Sequence, residues 1–77
     1  MLAADRELDL RGEVCPYTYL MTRLALEGME GGRVLRVLVD SETSARDVPV
    51  GLRRAGHAVL AVTEGPPGAW AIVVRKA

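Results

Sequence analysis

Val34-Leu35-Arg36-Val37-Leu38-Val39, followed at once by Asp40-Ser41, is the stretch from which the rest of the chain can be read. A short apolar run rich in branched residues is a strand. The serine after it is a good N-cap, so a helix follows. Working outward toward the C-terminus, that helix is expected over about 41–55, stopped by Gly56, with Ala45, Val48, Leu52 and Ala55 as its inward stripe. Pro49 sits inside this pattern and cannot donate to the helix ladder, so a kink or a loosened first turn is expected there. Two further strands are expected at 58–63 and 70–74. Gly65-Pro66-Pro67-Gly68 between them reads as a turn, which makes the pair a hairpin.

Toward the N-terminus, a helix is expected over about 16–27, with Pro16 pre-organised at its first position and Gly28 as its stop. On a helical wheel Arg23 and Glu27 mark the wet side. Thr18, Met21, Thr22, Ala25 and Met29 fall opposite, Leu24 and Leu26 lie on the flanks, and Tyr19 and Leu20 come out near the wet side. Leu8-Asp9-Leu10 closes a short N-terminal strand. The order is βαβαββ. The first β-α-β unit calls for parallel strands, and both helices can pack on one face of the sheet. The expected fold is therefore an α/β (α+β type) two-layer sandwich, a mixed four-stranded sheet with two helices packed on one face. The other sheet face is expected to be partly open or covered by a partner.

The chain has 77 residues, 49% of them apolar, enough for one small core and no second domain. Ten basic residues balance ten acidic ones. That argues against a polybasic nucleic-acid module and against disorder. Arg53 and Arg54 are one small basic pair, which a solvated helix face explains, so no direct nucleic-acid binding is expected. No apolar run approaches the ~20 residues of a membrane span, and the first residues lack the apolar core of a signal peptide. A protein of the reducing cytoplasm, with no membrane insertion, is expected. One cysteine and one histidine leave neither a disulfide framework nor a Cys/His metal cluster, so no metal and no cofactor is expected.

Cys15 is the position with an obvious chemical reading. It ends the loop Arg11-Gly12-Glu13-Val14 and immediately precedes a helix. Free N–H groups and the positive end of the helix dipole favour an anion there, so the thiol pKa is expected below its free value of ~8.5. The alternative is a buried, inert thiol. His57, the only candidate base for a cysteine hydrolase, lies at the far end of the second helix. A dithiol mechanism needs a second cysteine. What remains is a single thiolate that accepts a group from one partner and passes it to another.

Leu8-Asp9-Leu10-Arg11-Gly12-Glu13-Val14-Cys15-Pro16 resembles the entry motif of the TusA/SirA/YedF family of small sulfur carriers, an L-D-x-R-G-x-x-C-P segment. The stretch from Asp40 through Arg46-Asp47-Val48-Pro49 is similar to that family's second signature, an acidic strand end, a polar cap and R-D-(I/V)-P. The resemblance covers essentially the whole chain, residues 1–77, as a single domain. The family motif continues C-P-x-P, whereas this chain has Thr18 at the second proline, which puts partner recognition or transfer efficiency in question.

The resemblance implies that Cys15 takes up a sulfane sulfur as a persulfide. The donor would be a cysteine desulfurase or a rhodanese-like protein, and the acceptor a protein with a reactive thiol. Family pathways include tRNA thiolation, molybdenum-cofactor assembly, sulfur oxidation, and selenium or thiosulfate handling. Asp9, Arg11 and Pro16 match the first signature as supporting residues, and Arg11 is a candidate for holding an anionic sulfur. Asp40, Arg46 and Asp47 match the second, with helix capping and surface pairing as their simpler reading. Tyr19 and Leu20, about one turn from Cys15, are candidates for partner docking. The alternative function is a non-catalytic interaction module of the same fold.

Overall fold

The computed structural model describes residues 4–14 and 16–77; Cys15 and residues 1–3 lie outside the described residues. Six elements follow in the expected order: β1 (Arg6–Asp9), α1 (Tyr17–Glu27), β2 (Val34–Val39), α2 (Glu42–Arg54), β3 (Ala58–Glu64) and β4 (Trp70–Arg75). They make a four-stranded mixed sheet in the order β1-β2-β4-β3. β1 runs parallel to β2, and β4 is antiparallel to both β2 and β3. The two most continuously apolar strands, β2 and β4, take the centre, where a strand is paired along both edges. Charged β1 forms one edge. β3 forms the other, and a register irregularity between Val59 and Ala61 interrupts its pairing.

Both helices lie on one face. Leu35, Val37 and Val39 of β2 alternate inward with Ile72 and Val74 of β4. They meet Ala25 and Leu26 of α1 and Val48 and Leu52 of α2 in one cluster that Leu10 closes. The thinnest extent of the molecule, 17 Å, is that of two layers. On the other face, Leu38, Ala71 and Val73 are nonetheless buried. The β3–β4 turn contributes to this cover, since a Cβ on Gly65 would lie 3.6 Å from Leu38 Cδ2. Arg36 bridges to Glu7 at 2.7 Å across the β1–β2 pair. Exposed apolar side chains on the sheet are those of edge strand β3, Leu60 and Val62.

Three local expectations change. Pro16 is the N-cap of α1 rather than its first helical residue. The inward stripe of α2 does not reach Ala55, which is exposed because it is the C-cap, where the chain leaves the helix. Gly56 follows at φ +94°, and its N–H donates to Arg53 O while that of His57 donates to Leu52 O. This paired closure needs a left-handed residue, which glycine adopts without strain. Ser44 and Pro49 take the extra buried places on α2, which runs through Pro49 to Arg54. The buried face of α1 is Thr18, Thr22, Ala25 and Leu26, so the wheel is turned slightly: Leu26 is inside and Leu24 is half-exposed.

Candidate functional site

The loop between β1 and α1 is tied down residue by residue. The Asp9 carboxylate receives three hydrogen bonds from Arg11, from its backbone N–H at 3.1 Å, its Nε at 2.9 Å and its Nη2 at 2.7 Å. The Arg11 side-chain bond first, and its backbone bond next, hold the Asp9 carboxyl at about 2, below the usual 3.8. The guanidinium of Arg11 is pushed up by the same partner, so its charge is already engaged by Asp9. Gly12, at φ +90°, donates its N–H to Asp40 Oδ1 at 2.8 Å. Leu10 N–H extends the sheet ladder to Leu38 O, and Glu13 N–H turns back to Leu10 O.

The start of α1 is closed by the residues on either side of Cys15 in the chain. Val14 O accepts the N–H of Tyr17 at 2.9 Å and of Thr18 at 3.3 Å. These are the first two helical N–H groups, which have no partner within the helix. The expectation that free N–H groups wait there for an anion is corrected for these two donors, because the Val14 carbonyl takes both. Thr18 Oγ1 then lies 3.0 Å from Ser44 Oγ, both residues fully buried, and Thr22 Oγ1 donates to Thr18 O. The Ser44 N–H is capped by Ser41 Oγ at 3.4 Å. Followed through the covalent chain, these bonds make a ring: Gly12 to Asp40, Ser41 to Ser44, Ser44 to Thr18, Thr18 to Val14, and back to Gly12. The two segments quoted for the family resemblance are thus joined by hydrogen bonds, with Cys15, outside the described residues, in sequence between the ring members Val14 and Thr18.

Of the other candidates, Arg46 and Asp47 pair with each other at 3.2 Å on the exposed side of α2 and make none of the ring's bonds. Tyr19 is half-buried, because its ring lies on Gly51 of α2 and its hydroxyl donates to Gly51 O at 3.4 Å. Leu20 is 51% exposed, as the wheel anticipates. Beside Pro16, a cleft of about 470 Å³ opens between the two helices, lined by Tyr19, Asp47, Val50, Gly51 and Arg54. Sequence reasoning missed the Thr18–Ser44 pair. It also missed that Tyr17, Leu20 and Leu24, with Val14 before them, leave an apolar ridge exposed along α1. Their spacing of three and four residues was the available signal.

The family described as sulfurtransferase TusA matches residues 6–76. A protein of Archaeoglobus fulgidus, assigned as a sulfur carrier, is 44% identical over 97% of this chain and 85% of its own. A second, from Thermotoga maritima and likewise assigned, is 37% identical over 91% of this chain and 89% of its own. YedF of Escherichia coli, with the same assignment, is 32% identical over 86% of each chain. Among solved structures, the SirA-like protein of Desulfitobacterium hafniense superposes with a TM-score of 0.80 at 27% identity, covering 91% of this chain and 95% of that one.

Proposed function

The chain belongs to the TusA family of sulfurtransferases, and from that premise we propose that it is a persulfide carrier whose working atom is the Cys15 sulfur. The Cys15 thiolate attacks the terminal sulfur of a donor persulfide. A new S–S bond forms on Cys15, the donor's own S–S bond breaks, and the donor sulfur leaves as a thiolate. An acceptor thiolate then attacks the terminal sulfur now on Cys15, and the Cys15 thiolate leaves. Both steps exchange one S–S bond for another, so no oxidant, reductant or resident cofactor is consumed.

The observation that supports this reading best is the hydrogen-bonded ring, which ties both flanks of the cysteine to the start of α2. A carrier must present its sulfur to two different proteins in one reproducible geometry. Partner docking is assigned to the surface beside it: Leu20 with Tyr17 and Leu24 on the ridge, and the cleft between Pro16 and Arg54 where Tyr19 lies. An exposed apolar strip suits docking against a partner. The donor is a protein with a cysteine persulfide, of the desulfurase or rhodanese type, and the acceptor is a protein thiol in the reducing cytoplasm.

The test is intact-protein mass spectrometry after incubation with a cysteine desulfurase and cysteine, without added reductant. The expected result is one added sulfur atom on Cys15, absent in Cys15→Ser and removed by an acceptor thiol. Wild-type protein that binds the desulfurase and gains no sulfur would instead be an interaction module.

A further inference from the structure

We propose that Thr18 and Ser44 are positioning residues for Cys15, a role that rests on the carrier reading and deepens it. Thr18 stands three residues after the cysteine and is held from two directions. Its backbone N–H reaches back to Val14 O at 3.3 Å, across the segment that contains Cys15. Its hydroxyl reaches sideways to Ser44 Oγ at 3.0 Å, in the first turn of α2. Both side chains are fully buried, and a buried hydroxyl is costly to leave without a partner, so the pair fixes the separation of the two helix starts. Ser44 is itself held by Ser41, and the residue before Ser41, Asp40, holds Gly12.

A proline at position 18 has neither an N–H nor a hydroxyl, so it can make neither bond. The threonine therefore replaces ring stiffness with a link between helices, and the orientation of the first turn of α1 depends on α2. Displacing that turn moves the chain that enters it, which carries Cys15 two residues before Tyr17, relative to the positive helix end, which sets thiolate stability, and relative to a docked donor, which sets transfer rate.

The experiment compares full-length wild type, Thr18→Val, Ser44→Ala, the double variant and Thr18→Ser. Three quantities are read: the pH profile of Cys15 alkylation by iodoacetamide, the rate of sulfur loading from a desulfurase, and the urea midpoint. Each hydroxyl deletion is expected to raise the alkylation midpoint and slow loading by about tenfold, the scale that small misplacements of a reacting group reach. The double variant should be no slower than the slower single variant, because both remove one link. Thr18→Ser, which keeps the hydroxyl and folds most conservatively, should restore both readouts. Alkylation profiles and loading rates that stay at wild-type values in Thr18→Val and Ser44→Ala, with only the urea midpoint lowered, would overturn the proposal. So would losses that add in the double variant. If wild type takes up no sulfur, the carrier reading fails by itself, and the alkylation profiles still decide whether the pair positions the thiol.

Discussion

Asp9 shows how a single side chain can be tuned by its near neighbour. Three donors from Arg11 favour its charged form, so its carboxyl sits at about 2 in the folded protein against an ordinary 3.8. The folded-state value is the lower one, so the stabilisation is present above the ordinary value and is lost as pH falls from there through about 2. Wild type should therefore be more stable than Asp9→Asn near neutrality, with the gap closing through that acid window in urea titrations. A gap that persists unchanged at pH ~2 would contradict the sign. The gap is expected to be small and to shrink in high salt, because both side chains are about half exposed. Leu20 is a residue of the opposite kind, exposed and apolar and outside the core cluster. Leu20→Ser should slow sulfur uptake from a donor protein while leaving uptake from a small-molecule persulfide and the urea midpoint unchanged. Equal slowing by both routes would remove Leu20 from the docking surface.

At the scale of elements, one glycine makes room for Tyr19 of α1 against α2. A Cβ on Gly51 would lie 2.6 Å from Tyr19 Cε1, closer than packed atoms allow. Gly51→Ala should push the Tyr19 ring out of the interhelix seam, at a cost of ~1 kcal/mol or more. In a Tyr19→Ala background the same change should become neutral or stabilising by up to ~1 kcal/mol, since alanine is the better helix former. Urea denaturation of the four proteins measures this coupling. Equal effects of Gly51→Ala in both backgrounds would show that the ring does not fix the helix separation. The same seam carries the Thr18–Ser44 pair, about two turns before Gly51 on α2, so the buried surface of α1 is partly polar and sets direction as well as adhesion.

For the whole molecule, the constraint is size. At roughly 0.05–0.15 kcal/mol per residue, a 77-residue chain is stable by only on the order of 4–12 kcal/mol. Leu52 is fully buried in the core cluster, where α2 meets the sheet. Leu52→Ala should cost about 2–5 kcal/mol, a large share of that total, and the protein should unfold at a much lower urea concentration. A shift too small to measure would mean that the cluster is not continuous.

The element order, the Ser41 cap, the β3–β4 hairpin and the inward Val48 and Leu52 of α2 were legible in the sequence, because each depends on local spacing and local bonding. The cysteine before a helix and the two signature segments were legible for the same reason. Tertiary structure alone decided that β4 enters between β2 and β3, since strand order follows from which edges pair over long separations in the chain. It also turned Tyr19 inward, onto a glycine thirty-two residues away in the chain. Thr18 is the clearest case. In sequence it is a departure from a proline, and only the approach of α2 brings Ser44 within bonding distance and gives the hydroxyl its use.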